Sequence, residues 1–295
     1  MNEKQALIFG ATGNIGGATT RELLKRGWSV RAVTRDPSSE KAQALGSLGA
    51  ELVQADMEDP ISLKNIFNGM TKVLSVQNWY LDGADGEIRQ GKLVADAAKA
   101  ANVDHLIHIS AGDGQKNSGV PHFDSKLEVQ IYMQSLQIPF TVIRPAPFME
   151  LLTEKEFFPQ LSAWGAMTKI IDWETKLPWV SVHDIGFSIA NIFENPNKWI
   201  GKEIDIVGDV KSMHDCKTIF TKVDGKPPFR IALPLWLYQK MAKVELIKMW
   251  QWINEFSISK GEQNLWKFVE SNKTINPSPI DMEAWLQHKR TNMVT

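Results

Sequence analysis

The sequence predicts an α/β chain: a Rossmann-type doubly wound parallel sheet followed by a smaller, mostly helical C-terminal lobe. Three observations predict it. Short apolar runs alternate with helical patterns through the first half of the 295 residues. Such strict alternation makes a parallel sheet with right-handed crossovers and helices on both faces. The first strand–helix junction carries the spacing G-x-x-G-x-x-G in Gly10-Ala11-Thr12-Gly13-Asn14-Ile15-Gly16. Beyond Arg144-Pro145-Ala146-Pro147 the alternation stops, and helical stretches surround only short extended pieces.

The elements follow in order. Ala6-Leu7-Ile8-Phe9 is the first strand, and the glycine turn leads into a helix through Ala18–Arg26. The second strand is Trp28–Thr34, with a helix near 38–48. The third is Glu51–Gln54 with a helix near 60–68, and the fourth is Lys72–Val76 with a longer helix over 85–101. His105–Ile109 is the fifth, a helix covers about 123–136, and Phe140–Ile143 is the sixth. Later helices are expected near 183–194, 212–223, 234–253 and 259–269, with extended pieces at 179–182 and 203–207. This gives a dinucleotide-binding domain over 1–147 and a lobe over 148–295 that shares late strands with the sheet.

Composition narrows the function. With 33 basic and 34 acidic residues the net charge is −1, which argues against general nucleic-acid binding or an anionic membrane surface as partner. The single cysteine, Cys216, forms no disulfide within the chain and no cysteine-based metal site. No metal is expected. The absence of an apolar leader or a transmembrane-length run points to the cytoplasm. Tryptophan is unusually frequent, at 11, and nine of these lie beyond residue 150. They read as core packing or as an aromatic cleft or partner surface.

The candidate site starts at the glycine turn. Gly10 permits the tight turn, Gly13 lets the backbone approach a pyrophosphate, and Gly16 lets helix and strand pack closely. The helix N-terminus adds free N–H groups and a positive dipole end. At the tip of the second strand, Arg35 suits a ribose 2′-phosphate and selects NADP, and Lys41 adds a point charge; Asp36 would instead serve a 2′-hydroxyl and NAD. Asp56 ends the third strand and is placed for the adenine amino group, whereas Asp59 is better placed to cap the next helix. Gln77-Asn78-Trp79 ends the fourth strand, where it would line the inner half of the cofactor. Ser110 ends the fifth. His122-Phe123-Asp124-Ser125-Lys126 has the spacing of the Tyr-x-x-x-Lys pair of short-chain dehydrogenases, with histidine at the tyrosine position. His122 and Lys126 are the catalytic candidates: a histidine can act as an acid near neutral pH or form a polar wall.

Several stretches together resemble the NmrA-like family of atypical short-chain dehydrogenase relatives. They are Gly10–Gly16, Val30–Arg35, Gln90-Gly91-Lys92, His122–Lys126 and Arg144–Glu150; the closing Met282–Lys289 resembles the end of the NADP-sensing members. The resemblance implies NADP(H) in preference to NAD(H). It puts Gly10, Ala11, Thr12, Gly13, Asn14 and Ile15 at the pyrophosphate, Arg35 at the 2′-phosphate, and Asp56 with Met57 at adenine. It also puts Gln77, Asn78 and Trp79 along the dinucleotide, Lys126 at the ribose and Phe148 near the nicotinamide, and it gives Arg89 the place of a lysine used in the sensors. The function it implies is a redox sensor or regulator responding to NADPH/NADP, with a protein partner or a second copy of the chain. The alternative is an NADPH-dependent reductase of a small quinone-like or unsaturated substrate. The missing tyrosine favours the sensor; Lys126 and the tryptophan-rich lobe favour the reductase.

Overall fold

A seven-stranded parallel sheet of order β3-β2-β1-β4-β5-β6-β8 organises the computed structural model, which describes residues 4–153, 164, 165, 167, 169–229, 234, 236, 237 and 244–291. The elements are β1 (Gln5–Ile8), α1 (Asn14–Lys25), β2 (Ser29–Thr34), α2 (Glu40–Ser47), β3 (Glu51–Gln54), α3 (Pro60–Ile66) and β4 (Lys72–Ser75). Then come α4 (Trp79–Ala100), β5 (His105–Ile109), α5 (Pro121–Ser135), β6 (Phe140–Pro145), β7 (Leu177–Trp179), α6 (Val182–Glu194) and α7 (Pro196–Trp199). The last are β8 (Glu203–Ile206), β9 (Asp209–Lys211), α8 (Met213–Asp224), α9 (Val244–Lys260), α10 (Glu262–Asn272) and α11 (Met282–Thr291).

By its contacts the chain divides into two units. One comprises Met1–Asn117, Pro121–Arg144 and Ile185–Ile204; the other comprises Ser118–Val120, Pro145–Asp184 and Asp205–Thr295. In the first, Leu7, Phe9, Val73 and Leu106 of the strand region pack with Val94 of α4 and Val129 and Met133 of α5. Each such side chain contributes about 1.5–3 kcal/mol by leaving water. The first unit also takes in α6, which meets α1 at Gly186: a Cβ there would stand 2.7 Å from the Ala18 carbonyl carbon. The second unit has its own core around Trp164, Trp179, Phe220, Trp250 and Trp285. Its two-stranded sheet pairs β7 and β9 antiparallel.

Strand order reverses between β1 and its neighbours β2 and β4, which makes the carboxyl edge there the crevice of a doubly wound sheet. Close packing at this edge depends on Gly16. A Cβ on it would lie 2.2 Å from the Gly10 carbonyl oxygen and 2.9 Å from the Ala11 Cα. Both are backbone atoms and cannot swing aside. Gly16→Ala is therefore expected to lower stability by about 3 kcal/mol in urea denaturation; a change below about 0.5 kcal/mol would refute this close approach.

Some elements differ from the sequence reading. The helix expected over 85–101 starts at Trp79, capped by Asn78 Oδ1, which accepts from the Tyr80 N–H at 3.0 Å. It is broken at Gly83 (φ 71°, ψ −177°). Gly261, at φ +73°, separates α9 from α10, where a helix over 259–269 was expected. Of the helix expected over 234–253, residues 235 and 238–243 lie outside the described residues. α11 was not expected as an element; the Asp281 carboxylate accepts from the Ala284 N–H at 2.8 Å at its start. Among the described residues no helix is long and apolar enough to cross a membrane.

Candidate functional site

The turn after β1 is built by glycine. Gly10 has φ +63°, and a Cβ on it would stand 3.1 Å from the Val76 Cβ, so the loops after β1 and β4 close on each other there. The Gly13 N–H donates to the Gly10 carbonyl at 2.9 Å. Gly13 is the N-cap of α1, which has no side-chain cap and no acid in its first turn. A Cβ on Gly13 would have one neighbour within 4 Å, the Gly10 oxygen at 3.2 Å. The first-turn N–H groups and the positive end of the helix dipole thus border space that no capping side chain fills.

Next to this turn, the tips of β2 and β3 sort their charges. Arg35 is exposed and enters no ion pair among the described residues; Lys41, also exposed, lies in the first turn of α2. Asp36 is committed to its own loop. It accepts from the Ser38 hydroxyl at 2.6 Å and the Ser38 N–H at 2.9 Å, and these bonds hold its carboxyl below the usual range. Asp56 is exposed and accepts from the Glu58 N–H at 2.9 Å, while Asp59 caps α3 by accepting from the Ile61 N–H. The Gln77 side-chain amide donates to the Ser75 hydroxyl at 2.9 Å and lies 3.8 Å from the Met57 sulfur, joining the ends of β3 and β4. Arg89 is exposed, 3.4 Å from Glu58.

The start of α5 holds the least expected geometry. The His122 imidazole stacks on Trp79, centroids 4.3 Å apart and planes 11° apart, and meets Phe123 edge-on at 4.8 Å. His122 is 4 % exposed, and its buried Nδ1 has no hydrogen-bond partner among the described residues. Burial first, then the nearby Lys126 charge, pushes its pKa down to about 3. Of the two roles expected of His122, an acid near neutral pH or a polar wall, this buried, stacked ring with its lowered pKa fits the wall better, since burial disfavours the protonated form. Lys126 is itself buried, and its ammonium donates to Glu87 of α4, which also accepts from the Ser125 hydroxyl. Glu87 is 1 % exposed. The sequence did not single it out: its burial shows only once α4 is folded against its neighbours. Glu87, Gln90, Gly91 and Val94 are all buried at helical spacing, so Glu87 is a carboxylate on a core stripe and needs a partner. Gly91 brings α4 close to α5, where its Cβ would stand 2.5 Å from Val129. Ser110 is buried at the end of β5, its hydroxyl without a partner among the described residues.

Two further residues belong to the second unit. Phe148 precedes the short 3-10 helix Met149–Leu152 and bridges to Val180. Cys216 is fully buried, and burial raises its thiol pKa, so it is an inert packing group.

Strand order, glycine turn and the residues at the strand tips define a Rossmann-type chain with its candidate site at the carboxyl edge. More narrowly, the chain belongs to the NmrA-like family, whose model matches residues 2–286. It is 31% identical over 254 residues to an NmrA-like family domain-containing oxidoreductase of Malbranchea aurantiaca, covering 78% of this chain and 76% of that protein. Its fold is shared with NmrA, a negative transcriptional regulator solved in complex with NADP (TM-score 0.76, 20% identity, 97% and 95% of the two chains). It is shared equally with an Escherichia coli NADPH-dependent quinone oxidoreductase solved with NADPH (TM-score 0.73, 20% identity, 96% and 99%).

Proposed function

We propose that this chain binds NADP(H) at the carboxyl edge of β1–β4 and acts as a sensor or regulator of cofactor redox state, cytoplasmic and working through a protein partner or a second copy. The residues present fit the cofactor. Gly10, Ala11, Thr12, Gly13, Asn14 and Ile15 would hold the pyrophosphate, since nothing caps the first turn of α1 and Gly13 adds no side chain. Arg35 and Lys41 would meet the 2′-phosphate; with Asp36 held by Ser38, the competing NAD role of that acid is weakened. Asp56 and Met57 would meet adenine, with Gln77, Asn78 and Trp79 along the inner half and Arg89 near the rim. Lys126 donates one hydrogen to Glu87 and keeps two donors for ribose hydroxyls. When bound, NADPH supplies a hydride; the residues of this chain bind and orient it.

The observation that carries the regulatory reading is His122, buried and stacked on Trp79 at the position of the short-chain dehydrogenase acid, where burial disfavours its protonated form. The relative named an oxidoreductase favours a second reading, a reductase of quinone-like acceptors that take their protons from water. The two are separated by aerobic NADPH consumption against quinones, dyes and enones, with limited proteolysis of apo, NADP and NADPH forms. The expected result is no accelerated oxidation and different digestion patterns, since a ligand shifts conformations only through differential affinity. Sustained turnover with a simple quinone would overturn the regulatory reading.

A further inference from the structure

Trp164, Trp179, Trp250 and Trp285 are buried in the core of the second unit. Trp173 packs against that core and also faces outward. It is half-buried and forms one wall of a cavity of about 340 Å³ with Trp164, Lys217, Pro227, Pro228 and Phe229. Trp164 and Trp173 are each held by neighbours. The Trp164 indole N–H donates to the Leu152 carbonyl at 3.2 Å, and its ring meets Phe220 edge-on at 5.0 Å. The Trp173 ring stacks on His214 at 6.4 Å, and His214 is bonded to Glu174 at 2.7 Å. Phe229 is 72% exposed, a large ring left in water beside this cavity.

Among the described lining residues the charged one is Lys217 of α8, its ammonium 6.0 Å from the Trp173 ring centroid. Neighbouring lysines are neutralised: Lys222 pairs with Glu283 at 2.6 Å and Lys176 with Asp215 at 2.5 Å. Lys217 has no carboxylate partner among the described residues. A cation with aromatic walls and no ion-paired carboxylate among the described residues is complementary to a flat ring that carries one negative charge. The volume sits at the small end of ligand pockets, which span roughly 300–1,000 Å³, and so suits one or two fused rings.

We propose that this cavity is a binding site for a small planar aromatic carboxylate, its ring against Trp173, Trp164 and Phe229 and its carboxylate on Lys217. Neither the family nor the proposed cofactor site assigns it. The test uses 2-naphthoate and its neutral isostere 2-naphthamide, titrated by calorimetry into the full chain without nucleotide. The variant is Lys217→Met, which keeps the apolar stem and is expected to melt with the wild type. Saturable one-to-one binding of 2-naphthoate is expected, weakened about tenfold in Lys217→Met while 2-naphthamide binds both proteins alike. Equal 2-naphthoate affinity for wild type and variant, equal loss of both ligands, or no saturable binding would each overturn the proposal.

Discussion

Glu87→Ala is expected to destabilise the protein by about 3–5 kcal/mol, the range for removing one partner of a buried ion pair. Glu87 accepts from both Lys126 and Ser125 across the α4–α5 contact, and all three are buried. Truncation would leave the Lys126 ammonium without its counter-charge in a site water barely reaches. The double variant Glu87→Leu, Lys126→Met should recover much of the loss, because it removes both charges and keeps volume. Urea denaturation followed by circular dichroism measures both. A loss under about 1 kcal/mol in Glu87→Ala would mean that the pair does not hold the two helices.

Acid should unfold the chain well before its carboxylates titrate. His105, His108 and His122 are all buried, and burial, reinforced by Lys72 in the first case and Lys126 in the others, lowers each pKa from 6.5 to about 3. The unfolded chain therefore binds up to three more protons than the folded one between those values. Their contribution to stability is fully present above about pH 6.5 and is lost as pH falls towards 3, at up to about 4 kcal/mol per pH unit. Asp36 and Asp215, whose pKa values are also lowered, act only below about pH 4. Denaturation at pH 7.5, 6.0 and 5.0 reads this slope. His122→Phe, which keeps an aromatic ring against Trp79, should remove about a third of it. Stability that is flat from pH 7.5 to 5.0 would contradict the neutral, buried state of these rings.

What the sequence disclosed was local. The strand–glycine–helix junction is contiguous, and each glycine's geometric demand follows from its neighbours, so Gly10 and Gly16 were legible. So were the strands, because alternation needs only short windows. The hidden parts join distant positions. Glu87 and Lys126 are 39 residues apart in sequence, and only the packing of α4 on α5 at Gly91 makes them partners. The stack of Trp79 on His122 arises the same way, and without it His122 reads as an ordinary titrating histidine. Asp36 and Arg35 were ambiguous side by side in sequence; in the fold the Ser38 bonds occupy Asp36, while Arg35 is exposed. Tryptophan enrichment was visible, but that Trp179 and Trp250 fill the core while Trp173 packs on it and also walls a cavity needs three dimensions.

If the glycine turn and the β2 tip form an NADP(H) site, calorimetric titration of NADPH and NADH reads it out. NADPH is expected to bind one-to-one, tighter than NADH by roughly thirtyfold through the contact of Arg35 with the extra phosphate. Arg35→Ala should reduce that preference, with Lys41 left at the phosphate, and leave NADH binding nearly unchanged. Gly13→Val, checked by circular dichroism to be folded, should bind neither nucleotide, because its side chain fills the space over the turn. NADH binding as tight as NADPH, or normal NADPH binding by folded Gly13→Val, would mean that NADP(H) does not sit on this turn and strand tip.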